Sequence, residues 1–313
     1  MKRIFGAFAA VALCGMLSSA WAQHIEVIYG DDDRLDIYQV NNAKLLKMAD
    51  STAALFEGYN VKVEGAKALL TTRHYGDALR LCKEEPFYEQ RTGAFCSGSL
   101  VGPDLLMTAG HCVETEEACK DAKFVFGFGV KKKGELPESV PATEVYGCAK
   151  LVGRAQVDDG ADWALVKLDR RVLSHTPLKL NRTGKIENKT LLIVIGHPAG
   201  LPTKIAGGAS VRDASPDGYF VANLDTYGGN SGSAVFNAST GLVEGILVRG
   251  ENDYVWKGDC RVSNKCPADG CRGEDVTKIS AVSSGVPKTM AESYEEVKLD
   301  TAFLQLLDGA LKD

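Results

Sequence analysis

A glycine-rich run in the last third of the chain decides how the sequence is interpreted. It reads Leu224-Asp225-Thr226-Tyr227-Gly228-Gly229-Asn230-Ser231-Gly232-Ser233. Glycine lacks a Cβ, so it adopts positive φ and lets another backbone approach closely. Ser231 lies between glycines just ahead of an apolar run, which suits an exposed nucleophilic hydroxyl. We expect the amides of Gly229 and Ser231 to face one small pocket, where a reacting carbonyl oxygen gains charge.

A nucleophilic hydroxyl needs a base, and the base needs a partner that orients it. The candidate base is His111, which follows the apolar stretch 106–110. The candidate orienting group is Asp162, which opens a strand-like apolar run. Asp158 and Asp159 compete for this role, but no apolar strand follows either of them directly. The sequence therefore favours Asp162.

Three motifs together resemble those of the chymotrypsin-like serine peptidases. They are Thr108 to Cys112, Asp162 to Leu168, and Gly228 to Ser233. The chain order of histidine, aspartate and serine also occurs in this family. The resemblance implies a catalytic triad of His111, Asp162 and Ser231, with the oxyanion hole formed by the amides of Gly229 and Ser231. It implies a serine-type endopeptidase that acts on proteins or peptides and needs neither a cofactor nor a metal.

Short apolar runs separated by Gly, Pro and Asn follow one another along most of the chain. Such a pattern is typical of antiparallel barrels or sandwiches. The resemblance narrows it to an all-β fold of two six-stranded antiparallel barrels of the chymotrypsin type, followed by a C-terminal helix. We expect an N-terminal segment at 23–50, barrels at 51–175 and 176–286, and a helical tail at 287–313. The catalytic cleft would lie between the barrels.

Residues 1–22 have the pattern of an export signal, with a positive start, an apolar run from Ile4 to Leu17, and small residues at Ala20 and Ala22. The apolar run is shorter than the roughly 20 residues of a membrane span. Cys14 raises the alternative of a lipoprotein, but the residue before it is bulky. We therefore predict a secreted or periplasmic protein with no membrane attachment after the signal is removed.

The formal net charge of the 313 residues is −5. The only charges in residues 1–22 are two positive ones, so their removal leaves a net charge of −7. The sequence contains no basic run of the kind that binds nucleic acid. We expect a monomer without a nucleic-acid partner.

Cysteine usage agrees with export. Of the nine cysteines, Cys14 leaves with the signal, and an even number in an exported chain indicates disulfides. The family resemblance implies a bond between Cys96 and Cys112, beside the histidine. The pairing of the other six stays open: Cys82, Cys119, Cys148, Cys260, Cys266 and Cys271. Zinc binding by the last three is disfavoured, because they lack a Cys-x-x-Cys pair and a nearby histidine.

The start of the mature chain has a feature of its own. Val27 to Arg34 resembles the opening of the bacterial glutamyl-endopeptidase-like branch of the family, which has a short strand and an Asp-Arg pair. The cluster Asp31 to Asp33 suggests calcium, but it lacks the glycine and closing glutamate of a calcium loop. We favour a solvated turn in which Arg34 pairs with a carboxylate.

Substrate preference rests on few residues. Asp225 lies six positions before Ser231, which matches the acidic residue at the base of the primary pocket in trypsin-like members. It would favour Lys or Arg there, or it would simply cap its own turn. Leu247 stands where glutamate-specific members carry a histidine, which argues against glutamate. The resemblance places Leu247, Val248 and Gly250 in the substrate-binding site.

Two departures from the animal enzymes remain. Asn230 replaces the aspartate that binds the freed amine in those enzymes, and no Ile-Val-Gly-Gly start is present, so a zymogen switch of that kind is disfavoured. The cysteine-bearing segment from Glu251 to Asp275 is the second departure. It leaves open a rival function, that of a catalytically silent, peptidase-like binding or toxin-like protein whose cleft this segment obstructs.

Overall fold

Twelve strands form two closed barrels in the computed structural model, which describes residues 27–288 and 292–293. The first barrel contains β1 (Thr52–Glu57), β2 (Cys96–Gly102), β3 (Leu105–Thr108), β4 (Ala122–Phe126), β5 (Val145–Gln156) and β6 (Asp162–Leu168). The second contains β7 (Leu191–Gly196), β8 (Lys204–Asp213), β9 (Tyr219–Ala222), β10 (Ala234–Asn237), β11 (Val243–Arg249) and β12 (Glu274–Lys278).

The two barrels share one topology. The first has the strand order 1-2-3-6-5-4 and closes through β4 and β1, while the second has the order 7-8-9-12-11-10 and closes through β10 and β7. Every pairing within the barrels is antiparallel. The prediction of two six-stranded antiparallel barrels is therefore confirmed.

One apolar core extends across both barrels. Leu55 and Leu106 of the first barrel belong to the same buried cluster as Phe236 and Ile246 of the second. All residues of β2 and β3 are buried, because both faces of these short strands are covered. Packing of this kind holds the loops at the boundary between the barrels, where the three sequence motifs lie.

Shorter elements complete the described chain. The helices are α1 (Ala43–Ala49), α2 (Tyr75–Leu79), α3 (Glu116–Asp121) and α4 (Ser280–Ser283), with 3-10 turns at Ile37–Gln39, Gly58–Asn60, Gly110–Cys112, Ala142–Glu144 and Pro198–Gly200. The additional strands are Ile28–Tyr29, Arg34–Asp36, Val61–Glu64, Lys67–Leu70, Arg73–His74, Arg91–Thr92, Ser139–Pro141, Tyr254–Lys257, Cys260–Ser263 and Lys265–Cys266.

The N-terminal segment packs on the second barrel. Strand Ile28–Tyr29 pairs in parallel with Lys265–Cys266, and Arg34–Asp36 adds an antiparallel strand to β8. Arg34 forms the predicted ion pair, with Asp32 at 2.7 Å. Asp31 and Asp33 are exposed, as expected of a solvated turn, but Arg34 is only 4% exposed and its guanidinium lies 4.0 Å from the ring centre of Tyr227. The attraction between the planar guanidinium and the aromatic ring offsets part of the cost of removing the charge from water, so Arg34 can be buried.

Four disulfides join the eight cysteines of the described chain. The bonds are Cys82–Cys260, Cys96–Cys112, Cys119–Cys148 and Cys266–Cys271. The zinc alternative for the last three cysteines is therefore wrong, because their sulfurs are used in covalent bonds. The Cys82–Cys260 bond spans 178 positions of sequence, so it ties the segment after β11 to the region around α2.

The strands of the first barrel run from Thr52 to Leu168 and those of the second from Leu191 to Lys278. The domain limits predicted from the sequence stay predictions. The expected signal at 1–22 lies outside the described residues, and so does nearly all of the expected C-terminal helix. Within the described residues, no helix has the length and apolar character that crossing a membrane requires.

Candidate active site

Ser231 lies in a turn that only glycine permits. Gly229 and Gly232 have φ values of 97° and 89°, a region that costs other residues energy. A Cβ on Gly232 would lie 2.0 Å from the carbonyl oxygen of Ser97 and 2.2 Å from Thr108 Oγ1. The sequence around Ser231 therefore folds against β2 and β3 of the first barrel only because Gly232 has no side chain.

His111 and Asp162 are paired at the end of β3. His111 Nδ1 lies 2.7 Å from Asp162 Oδ2, while Asp162 Oδ1 accepts hydrogen bonds from the backbone amides of Gly110 at 2.6 Å and His111 at 3.1 Å. Asp162 is 1% exposed. Its competitors Asp158 and Asp159 are exposed, so the structure brings Asp162 to His111 and leaves the other two in solvent.

The surroundings of Asp162 favour its charged form. Burial by itself raises the pKa of this carboxyl, but the hydrogen bonds from the His111 ring and from the two amides outweigh burial and lower the pKa below its usual value. The carboxylate is therefore ionised at neutral pH. It can hold the Nδ1 proton of His111, which leaves Nε2 as the basic nitrogen.

Thr277 of β12 fixes the backbone of Asp162, and sequence reasoning missed it. Its Oγ1 accepts from the Asp162 amide at 2.9 Å and donates to the Asp162 carbonyl at 2.9 Å. The two residues are 115 positions apart, and no local pattern marks this threonine. The hydroxyl links the second barrel to the first directly behind the carboxylate.

Ser231 and the histidine motif meet beside the Cys96–Cys112 disulfide, which joins β2 to the 3-10 turn after β3. The Ser97 amide donates to the Ser231 carbonyl at 2.8 Å, and Cys112 Sγ lies 3.6 Å from the same oxygen. A Cβ on Gly232 would lie 3.1 Å from the amide nitrogen of Ala109, two residues before His111. The structure therefore brings all three sequence-predicted residues to one place.

The amides of Gly229 and Ser231 are available at this place. Neither donates a hydrogen bond to another group of the described chain. The carbonyl of Gly228, in the same peptide unit as the Gly229 amide, accepts from the Ala199 amide at 2.6 Å. A peptide N–H points away from its C=O, so this bond turns the Gly229 amide away from the 197–200 loop.

Asp225 lies beneath this turn and is 4% exposed. Its two oxygens accept from the amide of Tyr29 at 2.7 Å and from that of Asp33 at 2.9 Å. Burial raises the pKa of Asp225 to about 6, against the lowering effect of these two amides. The residue holds the N-terminal segment, a contact for which sequence reasoning had no signal.

The other predicted substrate-binding residues lie on or just after β11. Leu247 and Val248 are fully buried, with Leu247 in the core of the second barrel, and Gly250 is half-buried. Their role in substrate binding stays a prediction.

One group among the described residues has the geometry to hold a metal ion. It consists of Cys96, His111 and Cys112, whose potential ligand atoms all lie within 4.8 Å of one another. The two sulfurs are joined in a disulfide, so neither is a thiolate ligand and His111 is the one candidate ligand that remains of the three. A single ligand does not make a metal site.

Asp253 belongs to the segment after β11 and reaches the same turn. Its carboxylate accepts from the Gly228 amide, with the nearer oxygen at 3.1 Å. Burial raises the pKa of Asp253 to about 8, although the Gly228 amide, Arg34 and Arg261 act in the opposite direction. The native fold therefore binds a proton at Asp253 far more tightly than the unfolded chain does.

This difference predicts how stability changes with pH. Because the pKa of Asp253 is raised in the folded state, its contribution to stability is present below about pH 4 and is lost as the pH rises to about 8. Asp253→Asn keeps an acceptor for the Gly228 amide but does not titrate. Urea unfolding between pH 4 and 8 should show a shallower fall in the free energy of unfolding for the variant. Parallel curves for the two proteins would contradict this assignment.

Comparisons with known proteins agree with this geometry. Residues 96–246 match the family model of a trypsin-like peptidase domain. That range includes His111, Asp162 and Ser231. Over these residues the chain is therefore similar to the trypsin-like peptidase domain, and its two six-stranded antiparallel barrels agree with that similarity.

Individual relatives are distant. The human protein chymotrypsin-like elastase family member 3A is 32% identical over 84 residues, which cover 26% of this chain and 31% of that protein. A solved Glu endopeptidase has a TM-score of 0.47 and 16% identity, covering 83% of this chain and 97% of its own. The VesB protease of Vibrio cholerae has a TM-score of 0.46 and 14% identity, covering 83% and 67% respectively.

Proposed function

We propose that the protein is an exported serine endopeptidase that hydrolyses peptide bonds through an acyl-enzyme on Ser231. The observation that carries the proposal is the pair of half-buried His111 and buried Asp162, 2.7 Å apart, beside a glycine-flanked serine with two available amides. An acyl-transfer site needs these parts: a nucleophile, a base, an orienting group and donors for the oxyanion.

The proposed reaction has two halves. His111 Nε2 takes the proton of the Ser231 hydroxyl as the oxygen attacks the peptide carbonyl, and the amides of Gly229 and Ser231 bind the oxyanion. His111 then donates the proton to the leaving amine, so the peptide bond breaks and the acyl-enzyme forms. A water molecule, deprotonated by His111, attacks the ester. Collapse of the second tetrahedral intermediate releases the acid and returns the proton to Ser231.

Export is part of the proposal. The predicted signal at 1–22 supports it, and so do the four disulfides of the described chain. Disulfides persist in the periplasm and outside the cell, but they are rare in the cytosol. Periplasmic and extracellular fractions of the producing cell should therefore contain the protein, oxidised and lacking the first residues.

Labelling with a fluorophosphonate tests the assignment of the nucleophile. We expect the folded protein to acquire one phosphonyl group, and mass spectrometry of its peptides to locate that group on Ser231. Ser231→Ala and heat-unfolded wild type are the controls, and neither should be labelled. Folded wild type that fails to react would instead favour the rival function, a silent peptidase-like binding protein with an obstructed cleft.

A second part of the proposal is that Asp225 makes the enzyme prefer Lys or Arg before the cleaved bond. Asp225 carries a negative charge above a pKa of about 6, and a carboxylate has lone pairs for more than the two amides it already binds. It would attract a Lys or Arg side chain entering the primary pocket. Asp225→Asn keeps the size of the side chain and removes its charge, so cleavage after Lys and Arg should fall about 100-fold in kcat/KM. A peptide library provides the measurement, with peptides that have uncharged residues at the cleavage site as the internal control.

The opposite result is equally informative. An unchanged preference in Asp225→Asn would limit Asp225 to its contacts with the amides of Tyr29 and Asp33. Specificity would then depend on other groups of the cleft.

A further inference from the structure

The Gly229 amide belongs to a backbone segment that is intrinsically flexible. Gly228 and Gly229 are adjacent glycines, and glycine rotates freely about φ and ψ. A hydrogen-bond donor stabilises an oxyanion effectively only if it is held in position before the charge develops. Neighbouring groups must therefore supply the rigidity that this segment lacks.

Two of its peptide units are fixed by backbone contacts. The unit joining Gly228 and Gly229 is held through the Gly228 carbonyl by the Ala199 amide at 2.6 Å. The unit joining Gly229 and Asn230 is held through the Asn230 amide, which donates to the Tyr227 carbonyl at 2.9 Å. The Gly229 carbonyl, on the other side of this second unit, faces the first barrel.

Ser97 of β2 binds that carbonyl. Its Oγ donates to the Gly229 oxygen at 2.9 Å and accepts from the His197 amide at 2.9 Å. The Ser97 amide donates to the carbonyl of Ser231 at 2.8 Å. One fully buried residue therefore holds the carbonyls of both residues whose amides would bind the oxyanion.

We propose that Ser97 is a positioning residue for the oxyanion hole, acting through the Gly229 carbonyl. The inference rests on the proposed peptidase function and adds a residue to it. Without the hydroxyl, the Gly229 carbonyl and the His197 amide both lose a partner in a buried place, which disfavours the observed orientation. The Gly229 amide then spends less of its time directed at the reacting oxygen.

Ser97→Ala removes this hydroxyl, and the same strand offers a matched control. Ser99 is also fully buried on β2, but its Oγ has no hydrogen-bond partner among the described residues. Ser99→Ala therefore deletes the same atom from the same strand without touching the oxyanion segment. Comparison of the two variants separates the effect on Gly229 from the general cost of removing a buried oxygen.

We expect kcat for a peptide substrate to fall about 10-fold in Ser97→Ala, with KM unchanged, since the hydroxyl matters most when charge develops. A peptide aldehyde, which forms a tetrahedral adduct with the serine, should bind about 10-fold more weakly. The non-reactive peptide alcohol of the same sequence should bind as it does to wild type. Ser99→Ala should match wild type in all three measurements.

Infrared spectroscopy of the acyl-enzyme gives a readout that does not depend on stability, because only folded protein becomes acylated. With a cinnamoyl group on Ser231, the ester carbonyl of Ser97→Ala should absorb at higher frequency than that of wild type, since it accepts weaker hydrogen bonds. The frequency in Ser99→Ala should not move.

The outcomes distinguish this inference from the function on which it rests. Wild type that neither hydrolyses peptides nor reacts with fluorophosphonate would remove the proposed function. Active wild type with equal kcat and carbonyl frequency in Ser97→Ala and Ser99→Ala would overturn the role of Ser97 alone. An equal loss of affinity for aldehyde and alcohol would also overturn it, because that pattern reports a distorted substrate site.

Discussion

Ser231→Ala is expected to lower kcat for peptide hydrolysis by about 10⁶-fold while leaving the fold intact. Triad members act as a unit, so loss of the nucleophile removes the benefit of the base as well. The residual rate, about 10³- to 10⁴-fold above that in water, would come from the oxyanion donors and from substrate binding. Initial rates with a quenched fluorescent peptide, measured at high enzyme concentration, check the size of the loss.

The double variant provides the sharper comparison. His111→Ala should cost about as much as Ser231→Ala, and the variant carrying both changes should be no slower than either alone. Additive losses would mean that the two residues serve separate steps, which would contradict the proposed mechanism. Circular dichroism and thermal unfolding of each variant exclude a loss of structure as the cause.

Local sequence signals were enough to locate the motif residues. A serine flanked by glycines, a histidine at the end of an apolar strand and an aspartate at the start of another all have short-range signatures. The alternation of apolar runs and turns indicated antiparallel barrels or sandwiches for the same reason, and the family resemblance narrowed the prediction to two barrels. Such features depend on residues within a few positions of one another, so they can be read along the chain.

The supporting residues could not be found in this way. Thr277 and Asp162 are 115 positions apart, and the Ser97 hydroxyl binds a carbonyl 132 positions away. Each is an ordinary polar residue of a strand, and only the closed barrels bring it to the site. Cys82 and Cys260 are likewise distant in sequence and are brought together only by the fold.

The burial of Arg34 is another feature that the sequence did not predict. Its three acidic neighbours suggest a solvated turn, because runs of charge are usually exposed. In the structure, a ring 193 positions away covers the guanidinium. Composition predicts the ion pair with Asp32 but not the burial, since burial depends on where the second barrel places Tyr227.

Asp162→Asn is expected to lower kcat by about 10⁴-fold with little change in structure. The reason lies in the two oxygens of Asp162. Oδ1 accepts from the amides of Gly110 and His111, so an asparagine must keep its oxygen there. Its NH₂ group then faces His111 Nδ1, which becomes an acceptor.

The proton of the ring moves to Nε2 in that tautomer, so His111 can no longer take a proton from Ser231. Nuclear magnetic resonance of the ring nitrogens should show the proton on Nδ1 in wild type and on Nε2 in Asp162→Asn. Strong alkali should restore part of the activity, because hydroxide can remove the serine proton without the base. A variant that keeps wild-type kcat at pH 7 would show that Asp162 supports the fold of this loop but does not set the tautomer.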